Sequence, residues 1–245
     1  MKKKYRIQIL LLTLFFLLFS CENKELTSTL KKTDLFSIKY GTFENELNLF
    51  SLIGVGDIST RVTMKDGSFY VANSEAKKIL ELNSYGDLLS LYYNADYNPS
   101  PSFSNNSSSL ATRKAIAYPF NEIESIAVDE RKYLYVVDTL PLDRQEQNSE
   151  DKQVLSQIIL RFDGDGNFID YLGQQGPGGT PFPFVKSIYV TNDNELVVVT
   201  LKNDGYVVYW FSDLGYLNYT IFIENTNVPD PYKNDDYEHF LNINN

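Results

Sequence analysis

Only one cysteine and one histidine occur among the 245 residues, and each scarcity closes off a class of chemistry. A lone cysteine, Cys21, permits neither a disulfide within the chain nor a zinc–thiolate cluster. The single histidine, His239, lies in a polar, tail-like stretch, so neither a His-based metal centre nor a Ser-His-Asp triad is expected in the body of the chain. Basic residues are outnumbered, 22 Lys and Arg against 32 Asp and Glu, for a formal net charge of −10. That balance disfavours nucleic acid and anionic headgroups, which are bound through dense Lys/Arg surfaces. Beyond residue 20 no run is apolar enough to cross a bilayer, and no sustained 3.6-residue period points to long helices.

What the chain does have begins at its N-terminus. Lys2, Lys3, Lys4 and Arg6 precede an apolar stretch of about twelve residues, Ile7 to Leu18. This is short for a spanning helix and suits the apolar region of a signal peptide. It ends in Leu18-Phe19-Ser20-Cys21, a tetrapeptide that resembles the lipobox of bacterial lipoproteins. The resemblance implies cleavage before Cys21 and acylation of its thiol with palmitate-type chains, at about 0.8 kcal/mol per buried methylene. Residues 1–20 are thus read as a signal peptide, 21–34 as the lipidated cysteine and a polar tether, and 35–245 as a folded domain. The signal region holds four of the 22 basic residues and no acid, which leaves 18 against 32 and a net charge near −14.

The remaining 225 residues are ample for a core, and they repeat weakly three times. The first copy runs through Arg61–Met64, Phe69–Asn73, Lys78–Leu82 and Gly86–Leu91. The second runs through Ile123–Asp129, Tyr133–Asp138, Gln157–Phe162 and Gly166–Leu172, and the third through Ser187–Val190, Leu196–Thr200, Tyr206–Phe211 and Gly215–Ile221. Each copy reads as four short strands, rich in β-branched and aromatic residues and bounded by Gly, Asn and Asp turns. A four-stranded unit that recurs along a chain predicts an all-β fold of stacked propeller blades. The third turn of each copy closes on a glycine, Gly86, Gly166 or Gly215, whose positive φ a short hairpin turn requires. Three blades are complete in this reading. Leu35 to Ile53 offers strands toward a fourth, and Tyr232 to Asn245 resembles an unfinished continuation, so the domain reads either as a ring closed by few blades or as an incomplete or shortened form of a longer, six-bladed type with an open sheet edge.

The run from Asn121 to about Ile223, with Ile126-Ala127-Val128-Asp129, Leu134-Tyr135-Val136-Val137-Asp138, Ile159-Leu160-Arg161-Phe162-Asp163 and Leu172-Gly173-Gln174-Gln175-Gly176, resembles NHL-type propeller repeats. Phe69 through Leu91 fits the same scheme. Lipobox, acidic balance and composition together also resemble propeller lipoproteins of spirochaetes.

Strands that alternate in direction send the second-to-third loops and the inter-blade loops to one end of the sheets, and the other turns to the opposite end. Both large insertions then share an end: 94–119, with Asn94, Tyr97, Phe103 and Arg113, and 141–152, with Asp143, Arg144 and Glu146. The Gly/Pro-rich connector 173–184, with Gln174, Gln175 and Phe182, joins them there. Long loops in a compact domain are commonly functional, so this end is the candidate binding face.

Asp163-Gly164-Asp165-Gly166-Asn167 has oxygens at alternate positions, as a calcium loop does, but Phe168 and Gln174 stand where such a loop needs Gly and Glu. It is read as a hairpin turn. The connector at 173–179 lacks the Lys-Ser/Thr ending of a phosphate cradle. An all-carboxylate site could draw on Asp129, Asp138 or Asp163, each of which also reads as a turn or strand-end acceptor. The expectation is a non-catalytic, lipid-anchored envelope protein without cofactor or metal. It would sit outside the cytoplasm, with the outer membrane favoured over the inner, and bind a protein partner. Outer-membrane protein assembly is one concrete role, by analogy with the propeller lipoprotein of the barrel assembly machinery. The competing classes are a metal-dependent propeller hydrolase or lyase, and a surface adhesin.

Overall fold

The computed structural model describes residues 32–49, 60–103, 113–149 and 151–225; Cys21 and His239 lie outside them. The chain divides into two units, Met1–Asp34 and Leu35–Asn245. The first is described only at residues 32–34, which are exposed and belong to no helix or strand. Among the described residues no helix is long and apolar enough to cross a membrane.

The second unit is built of strands: β1 (Lys39–Tyr40), β2 (Glu46–Leu47), β3 (Thr60–Lys65), β4 (Ser68–Asn73), β5 (Lys78–Leu82), β6 (Leu88–Tyr93), β7 (Lys114–Ala117), β8 (Ile123–Val128), β9 (Leu134–Thr139), β10 (Glu146–Gln147), β11 (Val154–Leu155), β12 (Gln157–Phe162), β13 (Phe168–Gly173), β14 (Gly176–Pro177), β15 (Phe184–Val190), β16 (Leu196–Lys202), β17 (Gly205–Phe211) and β18 (Leu217–Glu224). Each repeat forms one four-stranded antiparallel sheet resembling a propeller blade: β3-β4-β5-β6, β8-β9-β12-β13 and β15-β16-β17-β18. The strand β8 packs between β3 and β15, which stacks the three sheets face to face in chain order.

Alternation along each strand decides which side chains meet which neighbour. Tyr70, Ala72 and Ile79 of the first sheet pack on Ile126, Val136 and Leu160 of the second. The opposite face of the second sheet presents Tyr135, Val137 and Ile159 to Val198, Val207 and Tyr209 of the third. Central strands of the first two sheets therefore bury both faces, as in Lys78–Leu82 and Gln157–Phe162, where every residue is buried, whereas β16 and β17 of the third sheet alternate buried with partly exposed residues.

The hairpin joining third to fourth strand is the same in all three sheets. Gly86, Gly166 and Gly215 have φ of 85°, 88° and 90°, their amides donate to the carbonyls of Asn83, Asp163 and Ser212, and the ladder shifts register beside each turn. This is a bulged turn of the kind that needs glycine in the left-handed region.

Three sequence expectations need revision. Leu35 to Ile53 supplies no fourth sheet within its described part; β1 and β2 form only a two-residue parallel pair. Phe36, Ile38 and Leu47 instead cover the outer face of the first sheet, packing with Val71, Leu80 and Leu91. The insertion 94–119 is not all loop, because β7 adds to the first sheet parallel to β6. A four-residue strand whose pairing is parallel leaves little local signal. The insertion 141–152 likewise carries a strand, β10, which pairs with β11. Residues 104–112, 150 and 232–245 lie outside the described set.

Candidate functional site

The end of the sheets that carries the long loops is distinct from the end that carries the tight turns. At the tight-turn end the sheets are tied together: Lys65 pairs with Glu130, Glu130 N–H donates to Asn194 Oδ1 at 2.9 Å, and Arg131 donates to the Asp213 carbonyl at 3.1 Å. Asp129, fully buried, accepts from Arg131 Nε, Arg131 Nη2 and the backbone amides of Arg131 and Tyr133. Asp163 accepts from the amides of Asp165 and Asn167. Asp138 lies at the other end of the same sheet, so the three carboxylates considered for one site do not converge. Among the described residues no group of three or more His, Cys, Asp or Glu is placed to hold a metal ion.

At the loop-bearing end, the 141–152 insertion and the Gly-rich connector face each other across a cavity of about 370 Å³. Leu140, Ile158 and Pro181 form its apolar lining, and Arg144, Glu146, Tyr171 and Thr180 its polar one. A single 3-10 turn, Leu142–Arg144, presents Arg144, with the Arg144 amide bonded to the Pro141 carbonyl at 2.9 Å. Pro141 starts this turn because its fixed φ, −62° here, is preset for it. Glu146 follows on β10. Neither Arg144 nor Glu146 forms an ion pair among the described residues. The opposing wall is held by its own glutamines: Gln174 Nε2 donates to the Pro181 carbonyl at 2.7 Å and Gln175 Oε1 accepts from the Thr180 amide at 2.9 Å. Tyr209 OH donates to Gln174 Oε1 at 3.0 Å, which fixes the connector to the third sheet. The hydroxyl of Tyr209 is pushed up to about 12 by burial.

Beside this cavity the chain entering the second sheet is pinned by Asp138, whose carboxylate accepts from the amides of Asn121 and Glu122 at 2.8 to 3.2 Å. Burial pushes Asp138 up to about 7, against the pull of those two amides and the charge of Lys77. Tyr118 rises to about 12 through burial and the Asp138 charge, with Arg144 acting in the opposite sense. The end of the 94–119 insertion therefore shares the electrostatic field of the cavity.

The ten residues singled out from the sequence divide by this geometry. Arg144 and Glu146 line the cavity, Gln174 and Gln175 shape its wall, and Asp143 is exposed on the adjoining 3-10 turn. Tyr97 is 60% exposed and lies under the Lys77 ammonium, 3.8 Å from its ring centre. Arg113 is exposed and acts electrostatically on Glu44, beside the segment that covers the first sheet. Asn94, Phe103 and Phe182 are corrected: all three are buried and do not offer side chains to a partner. Asn94 donates to the Phe120 carbonyl at 2.7 Å, Phe103 joins the core of the first sheet, and Phe182 packs edge-on against Tyr209 and Phe211. Tyr171 and Thr180 were missed, the first because it reads as strand packing and the second because a single Thr in a Gly/Pro run carries no signal.

No protein family and no curated protein matches the sequence. Among solved structures the chain is weakly similar to the Dos1 propeller, at 10% identity and a TM-score of 0.35, over 73% of this chain and 52% of that one. It is also weakly similar to a protein of unknown function from Bacteroides caccae, at 10% identity and a TM-score of 0.30, over 74% of this chain and 72% of that one. The chain thus spans about half the length of the Dos1 propeller.

Proposed function

We propose that the chain is a lipid-anchored, NHL-like β-propeller protein of the bacterial envelope, held outside the cytoplasm through Cys21, that binds a protein partner at the loop-bearing end of its sheets. The observation that carries this reading is the cavity between two long loops from different parts of the chain, with a cation and an anion, Arg144 and Glu146, on one wall. A predominantly polar lining, with Arg144, Glu146, Tyr171 and Thr180 over buried Leu140, Ile158 and Pro181, suits a polar, hydrogen-bonding peptide segment of a partner. Outer-membrane protein assembly is the role by which such a scaffold would serve the envelope. Two experiments test the two halves. Metabolic labelling with palmitate is expected to mark the wild-type protein and not Cys21→Ala; equal labelling contradicts the anchor. Arg144→Glu is expected to weaken capture of a crosslinked partner by about fivefold or more, the loss of a contact worth about 1 kcal/mol; unchanged capture contradicts the site.

A further inference from the structure

The two outer faces of the stack differ. The first sheet's outer face is covered by this chain's own residues, and its turn glycine, Gly86, sits with the Phe36 ring where a Cβ would come within 2.9 Å. The equivalent Gly166 and Gly215 abut Ile116 and Arg161, which precede their own sheets in the chain. Phe36 and Ile38 thus stand, for the first sheet, where a preceding sheet stands for the others. At the other end of the stack the third sheet turns an apolar face outward. Val197, Val199, Val208, Trp210, Tyr219 and Ile221 share it, by register and alternation. Val197, Val199 and Val208 hold the positions at which Tyr135, Val137 and Ile159 are fully buried in the second sheet, yet the three valines are only half-buried, and Tyr219 and Ile221 are 65% and 47% exposed.

We infer that residues 226–245 of this chain cover that face, as residues 36–47 cover the first. The segment leaves from β18 at Asn225, whose amide donates to the Asp204 carbonyl at 3.1 Å, on the loop-bearing edge of the same sheet. At about 3.3 Å per extended residue, twenty residues reach about 66 Å, more than twice the length of the eight-residue β18 beside which they would run. Its sequence carries the needed side chains: Tyr237, Leu241 and Ile243 recur with strand spacing, as Phe36 and Ile38 do in the cover of the first sheet.

Trp210 is the only tryptophan and lies on this face, with Nε1 bonded to Glu195 Oε2 at 2.9 Å, so its fluorescence reads the cover directly. The full chain is compared with a chain ending at Asn225 and with the full-length double variant Leu241→Asp, Ile243→Asp, each checked for retained β-structure by circular dichroism. The full chain is expected to show blue-shifted emission and slow acrylamide quenching at every protein concentration. Both variants are expected to shift to the red and quench several-fold faster. Trp210 in the full chain quenching as fast as in a folded variant overturns the inference. So does shielding that appears only as concentration rises, which assigns the face to a second copy. If neither variant folds, the quenching of the full chain against free tryptophan analogue decides: an accessible Trp210 overturns the cover, and a shielded, concentration-independent one supports it.

Discussion

Asn73 and Asp138 hold matching positions near the ends of the second strands of neighbouring sheets and do similar work: Asn73 bonds both the amide and the carbonyl of Asn48, and Asp138 takes the amides of Asn121 and Glu122. The charge at Asp138 carries a pH signature that Asn73 lacks. With a folded-state pKa of about 7 against an ordinary 3.8, the folded state holds the proton more tightly than the unfolded chain. Its contribution is fully present below about pH 4, falls as pH rises from 4 to 7, and is lost above 7. Asp138→Asn is expected to flatten that part of the stability profile, read as urea midpoints at pH 4.5, 6 and 8; parallel profiles contradict it. A second buried charge, Arg161, meets Asp170 through two bonds of 2.7 Å. Arg161→Ala strands Asp170 and is expected to cost about 3 kcal/mol in chemical denaturation, because a half-broken pair leaves its desolvation uncompensated. A loss within the range of a surface substitution contradicts it. The roles of Asp129 and Asp163 as turn acceptors were legible in sequence, since a short carboxylate at a strand end or in a Gly/Asn turn has a local task. The burial of Asn94 and Phe103 was not, because it is set by residues far along the chain.

At the scale of elements, the bulged hairpin repeated three times shows how the stack is keyed. Gly215 needs its positive φ, and a Cβ there would lie 2.6 Å from the Arg161 guanidinium of the neighbouring sheet; at Gly67, with φ 77°, a Cβ meets nothing within 4 Å. Gly67→Ala is expected to cost about 1 kcal/mol, the conformational strain alone. Gly215→Ala is expected to cost measurably more, because it also displaces Arg161 from its pairing; equal losses in thermal denaturation contradict the keying. Strands with continuous β-branched and aromatic runs and glycine-closed turns declared themselves in the sequence. The parallel strand β7 and the pair β1–β2 did not, since two to four residues without a flanking turn signal are defined only by what they pair with.

At the scale of the molecule, alternating strand direction segregates two functions. The tight-turn end is crossed by Lys65–Glu130 and Arg131–Asp213 links that tie sheets together, while the other end carries the long loops and the cavity. That segregation followed from connectivity and was readable from the insertion positions alone. The cavity itself was not, because it forms where two loops about 30 residues apart converge. The most direct test of the account places a photo-crosslinking residue at position 144 or 175 and, separately, at position 84 or 192 on the tight-turn end, in the lipidated protein in its native membrane. The account predicts a reproducible protein adduct from 144 and 175 and none from 84 and 192. Adducts from both ends alike, or from the tight-turn end alone, would contradict it.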